Sequence, residues 1–144
     1  MPSLVPSWLP LFTLSLLLAL AATGCAHTPG PKEVAAANAQ AQEEKRLADA
    51  AREALGRFLE AVKASDWDTA WSLLSAPLRA RYTPERLRDD FKREPLAAER
   101  VSRARLALMG PVRVTASGAE FPIGEERAVR LVREAGEYRI AAIE

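Results

Sequence analysis

Few side chains in this 144-residue chain could do chemistry, and they fall into three groups. The first is one thiol and one imidazole. Cys25 is the sole cysteine and His27 the sole histidine, and both lie near a turn-rich stretch, Thr28-Pro29-Gly30-Pro31, where His27 reads as an exposed linker residue. Everything beyond that stretch lacks Cys and His. This removes Cys/His and Ser/His nucleophilic arrangements and zinc sites built on nitrogen or sulfur. No glycine-rich phosphate loop and no H-E-x-x-H pattern occurs either. The second group is Asp66, Asp68, Tyr82 and Tyr138. A carboxylate beside a phenol in an apolar pocket can move a proton. However, Asp66 and Asp68 sit where a helix begins, and negative charge is favoured there for structural reasons alone. The third group is aromatic. Trp67 and Trp71 lie one helical turn apart, and Tyr138 alternates with Ile140 on a strand. These three are the pocket-lining candidates, but a core stripe, or a core or rim position for Tyr138, accounts for them better. The sequence assigns no catalytic residue, metal ligand or cofactor.

The placement of Cys25 is the strongest of these signals. An apolar run, Leu11-Phe12-Thr13-Leu14-Ser15-Leu16-Leu17-Leu18-Ala19-Leu20, leads into Ala21-Ala22-Thr23-Gly24-Cys25. An apolar core followed by small residues is the pattern of a secretory signal and its cleavage site. The strongly apolar part is roughly a dozen residues, short of the ~20 that cross a bilayer as a helix. This stretch resembles a bacterial lipoprotein signal with its lipobox. In that family, Ala22, Thr23 and Gly24 would be read by the processing enzyme. Cys25 would then be acylated and become the first residue of the mature chain. The resemblance implies a lipid bilayer as partner through acylated Cys25. Ala26, at the second mature position, implies an outer-membrane lipoprotein facing the periplasm. An ordinary secretory signal that leaves an incidental reactive thiol is the alternative.

Residues 1–24 would thus be signal peptide and 25–45 a lipidated tether with a helical extension, leaving 46–144 as one small domain. The charges nearly cancel, with 20 basic against 19 acidic residues. This balance argues against a dedicated nucleic-acid partner. With no second cysteine, packing alone must hold the fold.

Residues 26–34 read as a flexible tether, and Glu33 to Arg46 are rich in good helix formers without a large apolar stripe. Leu47, Ala51, Leu55, Phe58 and Val62 then recur at spacings of three and four, which predicts an amphipathic helix widened by Ala54 and Leu59. Ser65 is expected to cap a second helix, with Asp68 completing a capping box and Trp67, Ala70, Trp71 and Leu74 facing inward. Thr83-Pro84-Glu85 starts a third helix, with Leu87 and Phe91 inward. After Pro95 the pattern changes. Arg103 to Leu108 alternates polar and apolar and is expected to be a strand. Further strands follow around Val112 and Val114, Phe121 and Ile123, 128–133 and 138–143. The last two are joined as a hairpin through Glu134-Ala135-Gly136-Glu137. The expected fold class is α+β: N-terminal helices packed on a curved antiparallel sheet of about four strands.

Phe58-Leu59-Glu60-Ala61-Val62-Lys63-Ala64-Ser65-Asp66-Trp67-Asp68-Thr69-Ala70-Trp71-Ser72-Leu73-Leu74 resembles the opening of nuclear-transport-factor-2-like domains. There a long helix ends at a small-residue–Asp turn and a short aromatic helix follows. The resemblance extends over residues 46–144. It implies a cone-shaped domain with a pocket, and hence a non-catalytic module for a small apolar ligand or an envelope protein. Two alternatives remain: a small isomerase- or dehydratase-like enzyme using Asp/Tyr chemistry, and a purely structural envelope component.

Overall fold

The computed structural model describes residues 30–143. Ala22, Thr23, Gly24, Cys25 and His27 lie outside the described residues.

The helix formers after Gly30 join the amphipathic stripe in one continuous helix, α1 (Pro31–Ala64). The tether reading of residues 26–34 is corrected at its end, because helix begins at Pro31, where proline's fixed φ suits a first turn. The amide of Gly30 donates to Glu33 Oε2 at 2.8 Å and so closes that turn. Residues 31–46 are exposed all round. From Ala51 onward the predicted stripe is buried: Ala51, Ala54, Leu55, Phe58 and Leu59 are each 4% exposed or less.

The turn after α1 differs from the sequence expectation. Ser65 does not open the second helix; it closes the first. It takes a left-handed conformation (φ 59°). Its amide donates to the Val62 carbonyl at 3.1 Å, and that of Asp66 donates to the Ala61 carbonyl at 2.9 Å. This pairing satisfies the last carbonyls of a helix and needs a residue that tolerates positive φ. Asp66 is the cap of α2 (Trp67–Ser72), accepting from the Thr69 amide at 3.1 Å. A short helix α3 (Ala76–Arg81) then follows, with Pro77 in its first turn. Thr83 caps α4 (Pro84–Arg93) as expected, its hydroxyl accepting from the Arg86 amide at 3.2 Å.

The expected strand at Arg103–Leu108 is instead part of a helix, α5 (Ala97–Leu108). The alternation fitted both periods over six residues. The helical period wins because Ala97, Ala104 and Ala107 are buried on one face, while Leu106, which a strand would have turned inward with Leu108, is 75% exposed. The small Ala104 and Ala107 let α5 pack closely on α1. Leu108 Cδ2 lies 3.9 Å from where a Cβ on Gly56 would stand, and Arg52 Nη2 donates to the Gly110 carbonyl at 3.2 Å.

The rest is an antiparallel sheet in sequential order: β1 (Arg113–Val114), β2 (Gly118–Ile123), β3 (Arg127–Glu134) and β4 (Glu137–Ile143). Helices and sheet form the expected α+β fold. Ala119, Phe121, Val129, Leu131, Tyr138 and Ile140 project from the sheet into the core with α1. Arg113, Glu120 and Arg130 pair across strands on the solvated face. Gly118 is required by contact, since a Cβ there would sit 2.0 Å from the Leu131 carbonyl oxygen. The β3–β4 turn places Ala135 and Gly136 at φ 49° and 87°, as a two-residue hairpin turn with matching twist demands. On its outer side β4 meets the segment after α2. The Ile140 amide donates to the Leu73 carbonyl at 2.9 Å, and its carbonyl accepts from the Ser75 amide at 2.8 Å.

Candidate cavity between the helices and the end of the sheet

Helices α3, α4 and α5 lean over the C-terminal end of β4 and leave a cavity of about 610 Å³. That size lies within the range of small-molecule sites. The floor is apolar: Phe58 from α1, Leu74 after α2, Leu87 from α4 and Ile140 from β4, all 5% exposed or less. The walls are the half-buried Leu78, Tyr82, Phe91, Val101 and Ile143. Charge is confined to Asp90 and Arg93 on α4, Glu94 just after it, and Arg100 on α5. Leu87 and Phe91 turn inward one helical turn apart, and this brings Asp90 and Glu94 alongside the opening. Asp90 is half-buried, whereas Arg93, Glu94 and Arg100 are exposed.

None of the three aromatic candidates from the sequence lines this cavity. Trp67 and Trp71 stand behind its wall. The Trp67 ring packs against Phe91 with centroids 5.5 Å apart, tilted by 49°. Trp71 Nε1 donates to the backbone carbonyl of Tyr82 at 2.7 Å. Each tryptophan therefore fixes the position of a lining residue. Tyr138 sits at the hairpin end of β4, opposite Arg133. It is 5% exposed, its ring lies 6.0 Å from the Arg133 guanidinium carbon, and its hydroxyl is buried without a hydrogen-bond partner among the described residues.

The carboxylates singled out by sequence are elsewhere. Asp66 and Asp68 are both exposed. Hydrogen bonding from Thr69 holds the Asp66 carboxyl below the usual aspartate range, as a capping role requires. The Glu85 carboxyl is lowered by its own backbone N–H and by Thr83, at the start of α4. Of the four Asp/Tyr candidates, only Tyr82 reaches the cavity.

The charged residues that line it, Asp90, Arg93, Glu94 and Arg100, belong in the sequence to a locally basic stretch, Arg79 to Arg105, whose interspersed acids read as an ordinary solvated face, with contact to anionic lipid or cell-wall polymer as the alternative. A weak signal for Asp90 was its place one residue before the inward Phe91. Nothing in the sequence marks Arg100 as lining a cavity, because the alternation of residues 103–108 reads as a strand rather than as the end of α5. A second, smaller depression of about 460 Å³ shares Arg100 and Ile143 with the cavity and is otherwise lined by Leu96, Glu99, Arg103 and Arg127. Glu99 accepts a hydrogen bond from Arg103 there.

Among the described residues, no group of three or more His, Cys, Asp and Glu is placed to hold a metal ion, and no helix is long and apolar enough to cross a membrane. Comparison of the chain with family models, with curated proteins and with solved structures returns no match.

Proposed function

We propose that this chain is a lipid-anchored protein of the bacterial cell envelope whose α+β domain is a non-catalytic module for a small apolar ligand. The observation that carries the binding half is the cavity itself: a buried apolar floor with charge only at its opening. Such a surface gains by covering apolar area, at about 25 cal/mol per Å². The anchoring half rests on the lipobox-like run that ends at Cys25. One acyl chain holds a protein only marginally, and the lipoprotein pattern supplies several. The likeness to nuclear-transport-factor-2-like domains supports the same reading, since those domains place a pocket between a long helix and a sheet.

The test uses the full-length protein in membranes and a neutral alkyl probe bearing a photoactivatable diazirine. Labelled peptides are expected from α4, α5 and β4. Filling the cavity by Val101→Trp should abolish that labelling while the melting temperature shows the domain still folded. Labelling spread evenly over the surface would refute a binding cavity. In parallel, intact mass and membrane partitioning of wild type beside Cys25→Ala read the anchor.

One observation favours an enzymatic reading. Tyr82 and the half-buried Asp90 line the same cavity, a carboxylate and a phenol in apolar surroundings. Under that reading Asp90→Asn removes turnover of a carbonyl substrate. Under the binding reading it leaves neutral-probe labelling unchanged.

A further inference from the structure

The charge around the cavity is unevenly placed, and the unevenness points to a class of ligand. On the α4 side the opening carries Asp90 and Glu94 with Arg93 between them. It also shares Arg100 of α5 and Ile143 with the second depression, which Arg127 at the start of β3 lines as well. Arg103 in that depression is engaged by Glu99. Arg100 and Arg127 make no ion pair or side-chain hydrogen bond among the described residues. Glu125 and Glu126 in the adjoining turn are exposed and do not line either depression. The result is a path from a buried apolar floor to a bay holding two unengaged guanidinium groups.

We propose that the cavity takes a single-chain anionic amphiphile, with its alkyl chain on the floor and its carboxylate or phosphate head between Arg100 and Arg127. This rests on the binding reading above and names the ligand class for that site. Guanidinium groups match carboxylate and phosphate oxygens in geometry and charge. Asp90 and Glu94 repel such a head and so favour its placement between Arg100 and Arg127. An extended peptide is a poorer occupant. Deep in the cavity the outer N–H and C=O of Ile140 already bond to Leu73 and Ser75, which leaves a bound backbone without partners there.

The experiment compares three diazirine probes on the full-length protein in membranes, with one alkyl chain and a carboxylate, phosphate or hydroxyl head. Both anionic probes are expected to label the cavity at roughly fivefold lower concentration than the alcohol. The Arg100→Gln/Arg127→Gln double variant should lose that preference while labelling by the alcohol stays as it was. The Arg100→Lys/Arg127→Lys double variant, which keeps the charge, should retain most of it, and Lys32→Gln on distant α1 should change nothing. A stronger response to carboxylate assigns the source to free fatty acids, and a stronger response to phosphate to lysophospholipids. Equal labelling by all three heads, or a preference that survives the double glutamine variant, overturns the anionic class and leaves the binding reading standing. Absence of cavity labelling by every probe overturns both.

Discussion

The two halves of α1 are written in nearly the same alphabet, yet they are held helical by different means. In residues 31–46 every side chain is exposed. Support there is local: alanines and long polar side chains with high helix propensity, the Gly30–Glu33 bond, and Glu43 bonded to Arg46 with distances of 2.6 and 2.8 Å. From Ala51 the helix buries Leu55, Phe58 and Leu59 against the sheet and α5. An isolated helix of about 15 residues is marginal in water because its first turn is costly to form. The packed half supplies that first turn, and the exposed half propagates from it. Propensity thus decides whether a helix can continue, and burial decides where it begins.

Substitutions separate the two. Leu55→Ala in the packed half should lower stability by about 3 kcal/mol, since a fully buried leucine is replaced by a void. It should lower the melting temperature of the whole domain, and an unchanged value would show that the core does not hold the helix. Ala37→Pro in the exposed half should cost about 3 kcal/mol of local helix. It should reduce helical circular dichroism while leaving the domain's melting temperature in place, and a shared loss would mean that the halves are one cooperative unit.

The smallest effect is acid fraying. The Glu43 carboxyl is lowered by its bond from Arg46, and that of Asp49 by its bond from Lys45. A lowered folded-state pKa means stabilisation that is present above the unfolded value and lost as pH falls through the folded one. Hydrogen exchange in residues 31–46, corrected for intrinsic rate, should therefore accelerate below about pH 4 while that in 51–61 stays slow. Arg46→Gln should weaken this dependence.

Much of the architecture could be read from residues whose roles are local or periodic. The stripe at Leu47, Ala51, Leu55 and Phe58, the Thr83-Pro84 start and the hairpin around Ala135-Gly136 each rest on a short-range rule, and each is present. The errors arose where a short pattern fits two structures. Arg103 to Leu108 satisfies a strand by alternation and a helix by the spacing of Ala97, Val101, Ala104 and Ala107. Only contact with α1 decides between them. Ser65 is ambiguous for the same reason, because a serine beside an aspartate can end one helix or begin the next. The cavity was the least legible part. Its floor draws on α1, α4, β4 and the segment after α2, and its charge depends on how α5 sets Arg100 near Arg127 and Ile143. Trp67 and Trp71 attract notice in the sequence, but in the fold they support the wall from behind. Cys25 and the residues before it lie outside the described residues.

The bonds from Ile140 to Leu73 and Ser75 have a consequence beyond holding α2 to the sheet. An open strand edge is a template for another chain's backbone. At one margin of this sheet β1 is two residues long. At the other, the middle of β4 is already occupied by the Leu73–Ser75 segment. Neither margin offers a long row of free amides and carbonyls to a neighbouring copy. A second copy brought up against either margin finds little to zip onto.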